Sequence, residues 1–277
     1  MGAPNLAEQF AAAGIDWIVP RWPAPARVHA FVTTRNGGVS EGSRASLDAG
    51  SHPLRGEPAD IAAIVENRRR IGAWLPTAPH WLEQVHGAQV VTIEATGASR
   101  AADEVRADAA VTRRLGTVLA VRVADCLPVF LSDREGAVIA AAHAGWRGLA
   151  AGVLENTVAT MATQPSQLVA WLGPAIGRTA FEVGDEVREA LTAGDPGAAR
   201  AFERRAPGKW LADLEALARR RLARAGVDAV HGGGMCTMSD PSRLFSYRRD
   251  RTLGRMAALI WIAAPAGRLL GAGCETR

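Results

Sequence analysis

From residue 116 to 131 the chain is almost continuously apolar, carrying Val118, Leu119, Val121, Val123, Leu127, Val129, Phe130 and Leu131. Asp125-Cys126 interrupts the run, and Pro128 bends it. A stretch this apolar on both alternating faces predicts a long strand buried on both sides. A second apolar strand, 137–142, follows and ends in His143-Ala144-Gly145-Trp146-Arg147-Gly148. Strands covered on both faces need further layers, so the chain must be layered α/β.

The remaining pattern agrees. Strands are predicted at 28–34, 89–94, 168–172 and 256–262, with a strand end at 229–231. Helical periodicity runs through 60–75, where Ile61, Ile64, Val65, Arg68 and Ile71 share a stripe, and through 149–161, 183–191 and 211–225. No repeat and no long polar linker divides the chain; the 193–207 stretch reads as a loop. The expected architecture is a single α/β domain with a mixed sheet, preceded by an N-terminal extension over residues 1–15.

Composition narrows the function. The 277 residues carry a formal net charge of +4, yet Lys209 is the only lysine among 32 basic residues. The arginines are scattered and interspersed with Asp and Glu, so the positive balance reads as compositional bias and no nucleic-acid partner is expected. With one lysine there is no phosphate loop of the GxxxxGK[ST] type. The longest uncharged stretch, 156–177, holds Thr, Gln, Ser and two prolines, which excludes a membrane span. The N-terminus lacks a basic region ahead of an apolar run, and a cytoplasmic protein is expected. Cys126, Cys236 and Cys274 lie far apart without a CxxC pair, which argues against a disulfide framework.

Reactive side chains at the ends of apolar strands are the informative signal, because a rigid frame presents them to a cleft. His86 in QVHG (84–87), Cys126 in ADCLPV (124–129) and His143 in HAGWRG (143–148) are three such positions. Two imidazoles and a thiolate are donors that zinc prefers, and a catalytic zinc takes three protein ligands. The same atoms also suit a metal-free cysteine nucleophile, Cys126, with His143 or His86 as its base. The residues alone leave both readings open.

These three motifs, in this order, resemble the bacterial multi-copper polyphenol oxidoreductase or laccase-domain family. Its members are described as purine nucleoside phosphorylases with adenosine deaminase side activity, and some are named peptidoglycan editing factors. Further landmarks are TTRNGGVS (33–40), ENR (66–68), DAAVT (108–112), LGPAIG (172–177), FEVG (181–184), DL (213–214), CT (236–237), FSYRRD (245–250) and GRM (254–256). The resemblance spans roughly residues 15 to 263 and places the catalytic domain at 16–277. It implies an α/β sandwich similar in architecture to bacterial toxin cysteine hydrolases, with His86, Cys126 and His143 as catalytic zinc ligands. The implied substrates are inorganic phosphate and a purine nucleoside: adenosine, inosine, with S-methyl-5'-thioadenosine a further candidate.

Arg35, Arg147 and Arg248 lie in these motifs and are the candidate phosphate or substrate contacts, Arg35 foremost because it precedes a Gly-Gly turn. One departure stands out. Where the family usually reads SLNL, this chain has SLDA at 46–49, putting the acceptor-only Asp48 in place of an Asn beside the substrate candidates. Cys236 and Cys274 are read as structural. An amidase that edits a peptidoglycan precursor through Cys126 is the alternative enzyme, and a nucleoside-binding module without turnover is the non-enzymatic one. A copper oxidase is disfavoured: several coppers need many histidines, and of the six here His29, His52 and His80 fall outside the motifs. The protein is expected as a monomer or homodimer.

Overall fold

The computed structural model describes residues 5–50, 58–94, 105–251 and 253–264. In chain order, helix α1 (Leu6–Ala12) precedes strand β1 (Val28–Val32), helix α2 (Pro58–Gly72) and strands β2 (His80–Glu83), β3 (Val90–Thr92), β4 (Val105–Arg106) and β5 (Ala109–Thr112). The long apolar run becomes β6 (Leu119–Val123) and β7 (Leu127–Asp133), followed by β8 (Ile139–Ala144), α3 (Trp146–Ala151) and α4 (Val153–Thr160). Then come β9 (Leu168–Leu172), β10 (Glu182–Gly184), α5 (Asp185–Thr192), β11 (Phe202–Ala206), β12 (Lys209–Ala212), α6 (Leu214–Arg224), β13 (Ala229–Gly232), α7 (Tyr247–Asp250) and β14 (Met256–Ile262).

The strands form two mixed sheets and a small antiparallel one. A five-stranded sheet runs β1-β14-β6-β2-β4, a six-stranded sheet runs β13-β9-β7-β8-β5-β3, and β10-β12-β11 stand apart. Strand alternation sorts the side chains into three cores. On β7, Leu127, Val129 and Leu131 face a core shared with α3, α4, α5 and α6, while Phe130 faces the core between the two large sheets. On β14, Met256, Ala258 and Ile260 face that same inter-sheet core, while Ala257, Leu259 and Trp261 face a third. The third core holds Phe10 of α1 and Ile71 of α2, so the layers run helix, sheet, sheet, helix.

Four readings of the sequence change. The apolar run is two strands, because Asp125 adopts a left-handed φ of 85° and turns the chain from one sheet into the other. The expected helix over 149–161 is two helices, broken at Gly152 with a φ of 90°. The first residues of the helices expected at 183 and 211 belong instead to strands β10 and β12. The 193–207 stretch is no plain loop: a short 3-10 helix (Pro196–Ala201) leads into β11. From Leu6 onward, the N-terminal extension packs on the domain, with Phe10 buried against Trp17, Phe31 and Trp74. Among the described residues no helix is long and apolar enough to cross a membrane. Cys274 and His52 lie outside the described residues.

Candidate metal centre and arginine-lined cavity

The three reactive residues come from three different connections. His86 sits in the turn after β2, Cys126 in the crossing from β6 to β7, and His143 near the end of β8, opposite Pro128. Their ligand atoms all lie within 4.8 Å of one another, the one such cluster among the described residues. The two imidazole rings meet edge to face with centroids 4.9 Å apart. His143 is buried, Cys126 half-buried and His86 exposed, so the cluster opens on one side.

Asp108, just ahead of β5, holds two of the three clustered residues. Its carboxylate accepts the backbone N–H of Val85, His86 and Gly87 at 3.2, 2.9 and 2.7 Å. Such a cradle stabilises the turn in which His86 adopts a φ of 60°, a conformation that costs a non-glycine residue about 1–3 kcal/mol. The same carboxylate lies 2.9 Å from Nδ1 of His143, whose backbone N–H donates to the Asp108 carbonyl at 2.7 Å. With Nδ1 donating there, Nε2 is the atom left to face Cys126 and His86.

Asp125 fixes the position of the third, Cys126. Its carboxylate accepts the Thr237 hydroxyl and the backbone N–H of Arg248, each at 2.6 Å, and its carbonyl accepts the N–H of Ile176 at 2.9 Å. Gly145 makes room for the thiol: a Cβ there would stand 2.8 Å from the Cys126 sulfur.

The electrostatics follow from this packing. Burial by itself would push the Cys126 thiol up, but the neighbouring imidazoles of His143 and His86 outweigh it and bring the thiol down to about 6. Burial would likewise lower His143, and the Cys126 and Asp108 charges reverse that, raising it to about 9. Asp108 is opposed by its own burial, yet the His143 and backbone donors hold its carboxyl below the ordinary value. The packing thus biases Cys126 toward the thiolate and His143 toward the protonated ring, with Asp108 orienting the imidazole.

The cluster forms part of the wall of a cavity of about 600 Å³. Arg147 and Arg248, two of the candidate substrate contacts, line it together with Phe181, Trp146 and Tyr247. Arg35 and Asp48 do not. The Arg35 guanidinium donates to the carbonyls of Ala45 and Pro241 and stacks on Phe245, so the residue expected to meet phosphate instead ties loops together. Asp48 is fully buried, and its Oδ1 accepts the N–H of Gly50 and of Arg255, bonds that an Asn carbonyl could equally accept. Burial raises its pKa, bringing it nearer the neutrality of the Asn it replaces.

Sequence reasoning passed over Asp108, Asp125, Arg122 and Arg255. Asp108 and Asp125 had a signal, since each opens or interrupts an otherwise apolar segment. Arg255 had one too, since it sits in the GRM landmark; Arg122 had none beyond being a charge within a strand.

The fold and this site define a four-layer α/β protein with a His–Cys–His centre in an open cavity. The chain belongs to the multi-copper polyphenol oxidoreductase laccase family, whose family model matches residues 29–263. It is 51% identical over 247 residues to a protein of Pseudomonas aeruginosa named purine nucleoside phosphorylase, covering 89% of this chain and 98% of that one. It is equally 51% identical to purine nucleoside phosphorylase YfiH of Escherichia coli, covering 88% of this chain and 98% of that one. Among solved structures, a Neisseria meningitidis protein superposes with a TM-score of 0.83 at 45% identity, covering 90% of this chain and all of that one. YlmD from Geobacillus stearothermophilus gives 0.78 at 34% identity, over 86% of this chain and 93% of that one.

Proposed function

We propose that this protein is a zinc-dependent purine nucleoside phosphorylase with adenosine deaminase activity, acting in the cytoplasm. The observation that carries the reading is the convergence of His86, Cys126 and His143 on the wall of a cavity lined with arginines and aromatic rings. The names of the relatives point to the same reaction.

The donor set fits zinc. Two imidazoles and a thiol already biased toward thiolate are borderline-soft ligands, and three of them leave a position for substrate. It fits a multicopper oxidase poorly: His29 stacks on Trp261, His80 is buried in β2 and His231 lies in β13, so none of them joins the centre. When bound, zinc would supply a Lewis acid for a substrate oxygen or lower the pKa of water.

The chain's own residues do the rest. Phe181, Trp146 and Tyr247 offer apolar faces to a purine, and the arginines offer paired N–H donors to phosphate. In phosphorolysis a phosphate oxygen bonds to the ribose anomeric carbon while the bond to the purine breaks. Its electron pair leaves on the purine, and the proton of monohydrogen phosphate ends on the departing base. Holding both reactants in one cavity converts a bimolecular encounter into a positioned one. Asp108 keeps His143 and His86 oriented throughout.

A second reading has its own observation. Cys126, His143 and Asp108 form a nucleophile–base–orienter chain, which suits a metal-free cysteine amidase acting on a cell-wall precursor.

The deciding experiment is chromatography of adenosine and inosine incubated with protein of known metal content, with and without phosphate. Phosphate-dependent base release, lost on chelation and in Cys126→Ser, supports the phosphorylase. Absence of both base release and deamination from zinc-loaded protein overturns it and leaves the amidase.

A further inference from the structure

Five arginines line the cavity, against a single carboxylate, Asp125, whose two oxygens already accept from Thr237 and the Arg248 backbone. That balance exceeds what a neutral nucleoside requires, and the arginines are not equivalent. Arg147, Arg248 and Arg251 belong to or flank the short helices α3 and α7. Arg147 and Arg251 are exposed to solvent, and Arg147 lies over the neighbouring Trp146 ring at 4.2 Å. Arg248 donates to the carbonyl of Glu182 at 3.0 Å.

Arg122 and Arg255 are different because the sheet itself presents them. Arg122 lies on β6, opposite Ala257 of β14, and Val123 faces Met256 in the same ladder. Arg255 immediately precedes β14. Side chains alternate along both strands, so Arg122 and Arg255 leave the sheet on the same face as diagonal neighbours. Arg122 is 5% exposed, donates to the Leu82 carbonyl and lies 5.5 Å from the Trp81 ring centre. Arg255 is half-buried, donates to the Gly254 carbonyl at 2.9 Å and lies 5.8 Å from the Tyr247 ring centre. Gln84, which also lines the cavity, pins this strand by exchanging hydrogen bonds with the backbone of Arg122 at 2.8 and 2.9 Å.

We propose that Arg122 and Arg255 form the inorganic phosphate subsite of this cavity, while Arg147 and Arg251 at the mouth draw anions in without fixing them. The proposal rests on the phosphorylase reading above and assigns its co-substrate a place. The physical reason is dielectric. A guanidinium held at a sheet and partly withdrawn from bulk water interacts with a dianion more strongly, through the lower effective dielectric, than one fully exposed to solvent. The planar fork also matches two phosphate oxygens at once. The location serves the chemistry, because Ala124 alone separates Val123, the last residue of β6, from the Asp125-Cys126 crossing. An anion on this pair therefore sits at the edge of the His–Cys–His centre, where its free oxygen can reach an anomeric carbon held beside that centre.

Two measurements test this. The first is phosphate binding by equilibrium dialysis, with steady-state kinetics, on as-purified wild type, Arg255→Gln, Arg122→Gln and Arg147→Gln of matched metal content and circular dichroism. Losing a charged, bidentate contact should weaken phosphate about tenfold or more in Arg255→Gln, in both Kd and KM, with the nucleoside KM within about twofold. The second needs no variant: phenylglyoxal modification of wild type, mapped by peptide mass, should show phosphate protecting Arg255 more than Arg147. Unchanged phosphate affinity in Arg255→Gln, a larger loss in Arg147→Gln, or no protection of Arg255 overturns the subsite. Phosphate binding and protection without phosphate-dependent base release would uphold the subsite and refute the phosphorylase reading. Phosphate-dependent release with Arg255 indifferent would do the reverse.

Discussion

Asp108 and His143 are joined twice: the carboxylate meets the ring Nδ1 at 2.9 Å, and the Asp108 carbonyl accepts the His143 backbone N–H at 2.7 Å. Both ends of the residue thus hold one ligand, while the carboxylate also cradles the turn bearing another. Asp108→Asn keeps the volume and one acceptor but loses the charge. Metal affinity, read by competition with a chelator of known strength, is expected to fall about 10–100-fold. Unchanged affinity would show that the carboxylate is merely architectural.

Gly145 has an ordinary extended backbone, with φ −69° and ψ 164°, so alanine is acceptable there as far as the main chain is concerned. Its added Cβ would nevertheless stand 2.8 Å from the Cys126 sulfur and 3.4 Å from Cδ2 of His86. Gly145→Ala should therefore displace the Cys126 sulfur, lowering metal affinity and turnover on the order of tenfold or more while the circular dichroism of the protein stays as in wild type. A variant that binds metal normally would show that the loop yields at little cost.

Phe10 tests whether the N-terminal helix belongs to the folded unit. It is 1% exposed, with ring centres of Trp17, Phe31 and Trp74 at 5.1, 5.3 and 5.1 Å. Phe10→Ala should cost about 3 kcal/mol in urea unfolding, the lower end for a buried phenylalanine. A loss under about 1 kcal/mol would mean that α1 docks too loosely to count.

Asp195 supplies an acid-dependent element. Hydrogen bonds from Arg220, with Arg224 at 3.2 Å, hold its carboxyl down at about 2. Because the folded-state value lies below the unfolded one near 4, the contribution is complete above pH 4 to 5 and fades as pH falls toward 2. Comparing urea unfolding of wild type and Asp195→Asn, the gap should be constant from pH 7 to 5 and narrow below about pH 4. A gap that persists undiminished to pH 2.5 would assign the difference to hydrogen bonding alone.

The three candidate ligands could be picked out because each sits at a boundary or break of an apolar strand pattern, and nothing in a hydrophobic core requires a reactive residue there; the structure brings their donor atoms within 4.8 Å of one another. Asp108 was visible as a landmark, but its role depends on meeting a turn some twenty residues earlier and a strand that follows. Such meetings are set by sheet order, which periodicity does not encode. Arg122 was hidden by its strand, since a lone charge among Val and Ala residues gives no hint of which side of a sheet will border a cavity. Strands β10, β11 and β12 were read as helix and loop because they are short and β11 carries Glu203, Arg204 and Arg205 exposed to solvent. Arg35 misled for a physical reason: a guanidinium beside a Gly-Gly turn suits an anion, and it suits backbone carbonyls equally well.

The place of β14 has a consequence for how the protein is made. It is the last strand among the described residues, yet it lies between β1 and β6, pairing antiparallel with both. His86, Cys126 and His143 have all been synthesised well before this strand exists, but β6, which leads to Cys126, has only β2 beside it until β14 arrives. During translation the half-built protein holds all three residues of the cluster but not the completed five-stranded sheet from which Cys126 is presented. A chain stopped short of residue 256 would encode a complete centre without being able to close it, so a premature stop there should be as damaging as losing the cysteine itself.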